Sequence, residues 1–234
     1  INTINKNEID ALIIIGGDGS FKGAMWLMQL FDIQCIGIPG TIDNDLAGTD
    51  YTLGFDTAVN TSMQCIDKIR DTAESHNRVF VIEVMGRDSG YIAAYSGLTS
   101  GADAILIPES KNDILRLLAK IKSYHSEHAF IVVVAEGDET GTEIVCNKIK
   151  SVNSLIDVRL TKLGHLQRGG NPTANDRMLA IGLGSLSVHA LVENKTGVMA
   201  GIINNKYCLT KFESIFKKHE ITEEVEELLS MFSS

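Results

Sequence analysis

The chain has 234 residues, of which 44% are hydrophobic and 22% charged, so it is long enough to bury a core in one or two globular domains. Its net charge of −9 argues against nucleic acid or an anionic membrane as a partner. No apolar run reaches membrane-spanning length, and residues 1–6 lack the basic start and apolar block of a signal peptide, so we expect no membrane contact and a cytoplasmic protein.

The four cysteines are scattered along the chain and form no Cys-x-x-Cys pair. This spacing predicts buried free thiols in a reducing cytosol and no zinc site. The four positions are Cys35, Cys65, Cys146 and Cys208.

Short apolar runs alternate with amphipathic helical patterns along the chain. Residues 11–15 are continuously apolar, as in a strand buried on both faces of a parallel sheet. Further strands are predicted at 35–38, 79–84, 104–107, 130–134, 158–163 and 198–203, the last strand, and helices at 21–31, 57–73, 91–98, 112–123, 174–193 and 212–232. Alternating strands and helices predict an α/β fold.

A glycine-rich turn, Gly16-Gly17-Asp18-Gly19-Ser20, joins the first strand to the first helix. Glycines allow a close backbone approach to an anion, and a helix N-terminus attracts phosphate. The turn is neither a Walker A loop nor Gly-x-Gly-x-x-Gly, since Lys22 stands where the third glycine belongs. Asp18 would repel a phosphate unless a divalent cation lay between them.

A second turn follows the strand at 35–38 and carries Asp43 and Asp45. Side chains two residues apart point the same way when the backbone is extended, so both carboxylates could face one site. Close carboxylates repel unless they share a cation or a proton, which suits Mg²⁺ and a hydroxyl proton. An Asx-rich turn without chemistry explains the same pattern.

Polar and glycine residues follow several of the predicted strands. Ligands of open α/β sheets bind outside the carboxyl ends of the strands. Gly17, Thr41, Met85 and Glu136 all occupy such positions. The sequence therefore predicts a site along these edges.

Four motifs, taken in order, resemble the 6-phosphofructokinase family. They are Gly-Gly-Asp-Gly-Ser at 16–20, Pro-Gly-Thr-Ile-Asp-Asn-Asp at 39–45, Met-Gly-Arg at 85–87 and Gly-His-Leu-Gln-Arg-Gly-Gly at 164–170. The resemblance implies transfer of the γ-phosphoryl group of ATP to the 1-hydroxyl of fructose 6-phosphate with Mg²⁺, giving fructose 1,6-bisphosphate in glycolysis.

The resemblance implies a role for each matched position. Asp43 would be the general base, while Thr41 and Arg87 would steady the transferring phosphoryl group. The nucleotide phosphates would be lined by Gly17, Asp18, Gly19 and Ser20, and Mg²⁺ would be organised by Asp18 and Asp45. The sugar phosphate would be bound by Thr41, Ile42, Asp43, Arg78, Met85, Gly86, Arg87, Glu136, Arg159, His165, Leu166, Gln167 and Arg168.

Four of these residues are arginines, which would give an acidic chain a local cationic pocket. His165 and Arg168 would meet the 6-phosphate. Arg78 and Arg159 resemble arginines that reach the sugar phosphate of a neighbouring subunit, in a family that is commonly homotetrameric.

The resemblance also implies an allosteric effector site for phosphoenolpyruvate or ADP. Arg70 and Asp103 match its arginine and its acidic magnesium ligand. His125 and Glu127 stand where the family has lysines, so the chain departs from the pattern there.

Two glycines point to the phosphoryl donor. The pyrophosphate-dependent branch typically has aspartate at position 19 and lysine at position 40, whereas this chain has Gly19 and Gly40. The residues thus favour the ATP-dependent branch. The alternatives are a pyrophosphate-dependent enzyme, another Gly-Gly-Asp-Gly kinase such as the NAD-kinase group, and a non-catalytic regulatory subunit.

The resemblance implies two Rossmann-like three-layer α/β/α domains with the active site in the cleft between them. We expect a nucleotide domain at 1–54 plus 167–217 and a sugar-phosphate domain at 55–166 plus 218–234. The family usually opens with a further glycine-rich turn and basic residues that contact ATP. Nothing here corresponds to it, so we expect a chain whose N-terminal part, and part of whose nucleotide site, is missing.

Overall fold

The computed structural model describes residues 2–74, 78–125, 128–217 and 221–232. Within these ranges the helices and strands are α1 (Asn2–Lys6), β1 (Ala11–Gly16), α2 (Asp18–Phe31), β2 (Gln34–Pro39), α3 (Phe55–Glu74), β3 (Val79–Val84), α4 (Tyr91–Thr99), β4 (Ala104–Leu106), α5 (Asp113–Ser123), β5 (Phe130–Ala135), α6 (Thr142–Val152), β6 (Val158–Lys162), α7 (Ala174–Val192), β7 (Val198–Ile203), β8 (Lys206–Lys211) and α8 (Glu223–Phe232), with 3₁₀ turns at Gly164–Arg168 and Phe212–Ser214.

The chain divides into two compact units, each with a four-stranded sheet. Unit 1 is Ile1–Phe55 with Pro172–His219, and unit 2 is Asp56–Asn171 with Glu220–Ser234. The main difference from the predicted boundaries is that 167–171 belongs to unit 2. The reason is local, because the buried Gln167 side chain is hydrogen-bonded to Ser62 and Met85 of that unit.

The sheet of unit 1 has the strand order β1-β2-β7-β8. Its first three strands are parallel, and β8 runs antiparallel to β7. On one face, Phe21 of α2 stacks on Phe212 with ring centroids 5.4 Å apart, over Gly37 of β2. On the other face, Leu183 of α7 packs against Ile38. Helices therefore pack on both faces. The prediction that 11–15 is a strand buried on both faces is wrong, because β1 is an edge strand whose Ile13 and Ile15 are 38% and 66% exposed.

The sheet of unit 2 has the order β4-β5-β3-β6 and is entirely parallel. Leu117 of α5 and Val145 of α6 pack against one face. On the opposite face Gly97 of α4 lies so close to Ile105 that an added Cβ would be 2.7 Å from that side chain. All six residues of β5 are buried, which is why its sequence is continuously apolar.

The predicted α/β class is confirmed, and each predicted strand is present within one residue at either end. The prediction that 198–203 is the last strand is wrong, because β8 follows it in a hairpin. Asn204 and Asn205 both have positive φ, 50° and 59°, as a two-residue type I′ turn requires. Asparagine tolerates this conformation, so the Asn204-Asn205 pair is a local sequence signal for a hairpin.

Two helices, α1 and α6, were not predicted. The helix α6 buries Val145, Cys146 and Ile149 at helical spacing. The predicted helix at 212–232 is only partly correct. Its start is a 3₁₀ turn, α8 begins at Glu223, and residues 218–220 lie outside the described ranges.

The four cysteines are unpaired, as predicted, with two buried and two partly buried. Burial raises the pKa of the Cys35 thiol and of the Cys146 thiol. Among the described helices, none combines the length and apolarity needed to cross a membrane.

The stacked phenylalanines of unit 1 allow a stability test at Gly37. A Cβ there would lie 2.5 Å from the Phe21 ring and 2.8 Å from the Phe212 ring. We predict that Gly37→Ala lowers the free energy of unfolding by roughly 1–3 kcal/mol through overpacking, measured by urea denaturation. Gly184→Ala is the control, since its Cβ would meet nothing within 4 Å. Equal stability of the two variants would contradict the packing.

Candidate functional site

The glycine-rich turn of unit 1 is shorter than the sequence suggested. The helix α2 begins at Asp18 rather than Phe21, with Gly17 as its N-cap, so Asp18, Gly19 and Ser20 form its first turn. Ser20 N–H and Phe21 N–H both donate to the Gly17 carbonyl oxygen, at 3.0 and 3.2 Å. The positive end of the helix dipole therefore lies at these residues and favours an anion.

The loop after β2 is hydrogen-bonded to this turn. Gly40 N–H donates to the Gly16 carbonyl oxygen at 3.0 Å. An added Cβ on Gly17 would lie 3.7 Å from the Thr41 Cβ, which is ordinary van der Waals distance. The glycine turn and the start of the loop after β2 therefore lie side by side at the carboxyl ends of β1 and β2.

Asn44 organises the loop that carries both aspartates. It is 1% exposed and has φ +52°, in the left-handed region. Its Nδ2 donates to the Asp50 carbonyl oxygen at 3.0 Å, and its Oδ1 accepts from Thr52 N–H at 2.9 Å. No role was predicted for Asn44, because its partners lie six and eight residues away along the chain.

The left-handed Asn44 also corrects one step of the sequence argument. The prediction that Asp43 and Asp45 could face one site was conditional on an extended backbone, and the loop is not extended at Asn44. Asp43 is buried, at 9% exposure, and its N–H donates to Thr41 Oγ1 at 3.2 Å. Asp45 is partly buried.

The carboxylates of unit 1 suit a Mg²⁺ ion that binds together with the substrate phosphates rather than one held by protein ligands alone. In the described part of the chain, no three His, Cys, Asp or Glu side chains are grouped closely enough to hold a metal. Mg²⁺ commonly takes only one or two carboxylates together with substrate phosphates and water. Asp18 at the start of α2, 3.2 Å from Lys22 Nζ, suits that donor set.

The two glycines used to infer the donor differ in their surroundings. A Cβ at Gly19 would meet nothing within 4 Å, so no packing within the structure requires glycine there. A Cβ at Gly40 would lie 2.8 Å from Ile15 Cγ2 and 3.2 Å from Gly16 N. Packing therefore explains Gly40 without reference to a donor, and only Gly19 favours ATP as the donor.

In unit 2, the Met85-Gly86-Arg87 turn lies at the carboxyl end of β3 and is held by Glu136 after β5. Glu136 Oε1 accepts from Arg87 N–H at 2.8 Å and from Gly86 N–H at 3.3 Å. The structure brings these four predicted residues together. The Glu136 carboxylate thereby has a structural partner that the sequence could not indicate.

Gln167 is a buried connector within unit 2. It is 1% exposed, and its Oε1 accepts from Ser62 Oγ at 3.0 Å and from Met85 N–H at 3.1 Å. Its Nε2 donates to the Gly164 carbonyl oxygen at 3.0 Å. The residue thus fixes the 3₁₀ turn Gly164–Arg168 to α3 and to the end of β3, while direct contact with a substrate stays a prediction.

The neighbours of Gln167 in the same 3₁₀ turn point outward. His165, Leu166 and Arg168 are all exposed, with Leu166 at 66%. Neither His165 nor Arg168 makes an ion pair with another described residue. The turn therefore exposes the His165 imidazole and the Arg168 guanidinium, while the buried Gln167 holds its backbone in place.

Arg78 and Arg159 lie at the opposite, amino ends of the strands of the same sheet, where β3 and β6 begin. Asp157 bridges them, with Arg78 Nε 2.7 Å from Oδ2 and Arg159 Nε 3.0 Å from Oδ1. Desolvation raises the pKa of the exposed Asp157 carboxyl, but hydrogen bonds and charges from Arg159 and Arg78 outweigh it, so the pKa lies below its ordinary value. A six-residue strand spans roughly 17 Å, so the structure does not bring this pair together with Arg87.

The predicted effector residues Arg70 and Asp103 form hydrogen bonds to backbone groups of unit 2. Arg70 Nη2 donates to the carbonyl oxygens of Ser100 and Gly101, both at 2.8 Å. Asp103 Oδ2 accepts from Ile131 N–H at 2.7 Å. Burial raises the pKa of Asp103, and the Ile131 hydrogen bond and the Arg70 charge offset this only in part. His125 is exposed, and Glu127 lies outside the described residues.

Two open α/β sheets with loops assembled at their carboxyl ends define a doubly wound α/β protein. Residues 1–191 match the phosphofructokinase family model. The chain belongs to the phosphofructokinase family, as its motifs predicted.

Curated relatives agree with this assignment. The chain is 48% identical over 236 residues to the ATP-dependent 6-phosphofructokinase of Macrococcus caseolyticus, covering all of this chain and 73% of that protein. It is 49% identical over 210 residues to the enzyme of the same name from Streptococcus pyogenes serotype M5, covering 88% of this chain and 61% of that protein. The chain therefore spans only part of the length of these relatives.

Solved structures show the same fold. Phosphofructokinase from Saccharomyces cerevisiae matches with a TM-score of 0.80 and 32% identity, over 90% of this chain and 32% of that one. A pyrophosphate-dependent phosphofructokinase from Marinobacter aquaeolei also has a TM-score of 0.80 but only 23% identity, over 100% of this chain and 70% of that one, so that likeness concerns the fold alone.

The buried Gln167 gives a test of the support beneath the exposed turn. Gln167→Leu would leave Met85 N–H and the Gly164 carbonyl without their partner, so we predict a loss of about 2–4 kcal/mol in the free energy of unfolding. Chemical denaturation measures it. Leu166→Ala, at an exposed neighbour, should stay within about 0.5 kcal/mol of the wild type. A Gln167→Leu variant as stable as that control would refute the connector role.

Proposed function

We propose that this chain forms part of an ATP-dependent 6-phosphofructokinase, which transfers the γ-phosphoryl group of ATP to the 1-hydroxyl of fructose 6-phosphate in glycolysis. Relatives named for this activity, at 48–49% identity, support the proposal. The observation that carries it is the Gly40–Gly16 hydrogen bond, which holds the loop of the proposed base against the proposed phosphate turn.

In the proposed reaction Asp43 is the general base. The sugar hydroxyl oxygen forms a bond to the γ-phosphorus, the bond from that phosphorus to ADP breaks, and the hydroxyl proton passes to the Asp43 carboxylate. The Thr41 hydroxyl and the Arg87 guanidinium steady the transferring group. Such a reaction depends on positioning and charge stabilisation more than on covalent chemistry, which suits loops held by hydrogen bonds at strand ends.

The nucleotide phosphates are proposed to lie at the first turn of α2, against Gly17, Asp18, Gly19 and Ser20. Asp18 and Asp45 would hold Mg²⁺ there together with phosphate oxygens. The ion would neutralise charge that develops on the phosphoryl oxygens. Lys22, which lies beside Asp18, can balance the carboxylate charge when the phosphates are absent.

The sugar phosphate is proposed to bind to Met85, Gly86, Arg87 and Glu136 through the sugar and to His165 and Arg168 through the 6-phosphate. Their support is the common sheet edge and the Gln167 connector. Arg78 and Arg159 are proposed to serve the sugar phosphate of a neighbouring subunit in a homotetramer. Their place at the other sheet edge is compatible with a second, intersubunit site.

The donor is tested at Gly19, where a side chain has room in the structure but would enter the proposed nucleotide site. We predict that the full-length protein uses ATP and not pyrophosphate with fructose 6-phosphate in an aldolase-coupled assay. Gly19→Asp should raise the KM for ATP at least tenfold through charge repulsion, while the thermal unfolding midpoint changes little. Equal use of pyrophosphate by the wild type would favour the pyrophosphate-dependent alternative.

The base is tested at Asp43. We predict that Asp43→Ser in the full-length protein lowers kcat by about 10²–10⁴-fold, since a positioned general base contributes that much, while fructose 6-phosphate binding is largely retained. Asp10→Ser, at an exposed aspartate before β1, is the control. Near-normal turnover of the Asp43 variant would rule out the role, and an inactive wild type would favour a regulatory subunit.

A further inference from the structure

Arg87 has a backbone conformation that arginine does not adopt readily. Its φ is +53°, and the preceding Gly86 has φ +143°. A left-handed residue other than glycine persists only where the surrounding structure holds it. The residues that hold Arg87 therefore decide where its guanidinium is presented.

The first holding group is the Glu136 carboxylate. Oε1 accepts both consecutive amide hydrogens, from Gly86 at 3.3 Å and from Arg87 at 2.8 Å. Glu136 is itself anchored, because its N–H donates to the Val84 carbonyl oxygen at 2.8 Å. The same two strands thus supply both sides of this contact, which leaves little freedom for the turn.

The second residue that holds Arg87 is Gly137, which packs closely against it because it has no side chain. A Cβ there would overlap the Arg87 carbonyl oxygen and lie 3.2 Å from the Asp88 Cα. Gly137 is not among the residues with positive φ, so close approach and not backbone conformation is what requires glycine. One face of the peptide after Arg87 is consequently pressed against the loop that carries Glu136.

We propose that Glu136 and Gly137 together act as positioning residues for Arg87, setting the peptide from which its guanidinium reaches the transferring phosphoryl group. The role of the Arg87 guanidinium in this inference rests on the proposed function, whereas the contacts that hold its backbone do not. It separates two tasks of Glu136. Oε1 holds the turn, and the carboxylate charge and the other oxygen serve the sugar.

Amide hydrogen exchange tests the contacts without any assay of activity. In Glu136→Ala and in Gly137→Ala, exchange at Gly86 and Arg87 should become at least tenfold faster. In Glu136→Gln it should stay near the wild-type rate, because the glutamine oxygen accepts the same two hydrogen bonds. Controls are Glu139→Ala, an exposed carboxylate in the same turn, and Gly184→Ala. Unchanged exchange in both test variants would overturn the proposal.

Steady-state kinetics of the full-length enzyme test the consequence. Gly137→Ala should lower kcat roughly 10- to 100-fold, as expected when a catalytic group is displaced by about 1 Å. Combined with Arg87→Ala it should add little to the loss from Arg87→Ala alone, since both changes remove one function. Glu136→Gln should raise the KM for fructose 6-phosphate more than it lowers kcat.

The outcomes are distinguishable. Multiplying losses in the Gly137→Ala/Arg87→Ala double variant would show that Gly137 does not act through Arg87. An inactive wild type would overturn the proposed function, while the exchange rates would still decide the contacts. If Gly137→Ala fails to fold, Glu136→Ala and Glu136→Gln decide the same question.

Discussion

The candidate site depends on parallel strand pairing that continues one hydrogen bond past the strands. In unit 1 the register pairs Gly16 with Pro39, and the next bond runs from Gly40 N–H to the Gly16 carbonyl oxygen. In unit 2 it pairs Val84 with Ala135, and the next bond runs from Glu136 N–H to the Val84 carbonyl oxygen. Each loop thus takes its starting geometry from a hydrogen-bonded sheet, which is the most rigid element available.

Beyond this common bond the two loops stabilise an unusual backbone in different ways. Asn44 is left-handed, and asparagine tolerates this conformation because its short side chain bonds locally. Arg87 is also left-handed, and a carboxylate and a glycine from the neighbouring strand end hold its backbone. Unit 1 therefore holds its loop with a residue of the loop itself, and unit 2 holds its turn with a residue about fifty positions away.

This difference explains how far the sequence could be interpreted. Continuous apolar runs locate the strands but not how deeply each is buried, since β1 is partly exposed and β5 is wholly buried. The motifs identify the family. The hairpin at Asn204-Asn205 and the helix α6 also carried local signals, in turn chemistry and in apolar spacing. The partners of Gln167 and of Glu136 carried none, because Ser62 and Arg87 lie far from them along the chain. Contacts of this kind follow only from the packed sheet.

The four arginines of the predicted cationic pocket lie at opposite ends of the strands of unit 2. A pocket that contains all four therefore needs two subunits, as the predicted role of Arg78 and Arg159 requires. Arg87 and Arg168 follow the carboxyl ends of strands, whereas Arg78 and Arg159 flank the beginnings of β3 and β6. Asp157 neutralises part of the second pair, so these three side chains together carry a net charge of about +1. An anion bound there would compete with Asp157 for the two guanidinium groups. Its affinity would therefore depend on how far each guanidinium can hydrogen-bond to the anion and to the Asp157 carboxylate at once.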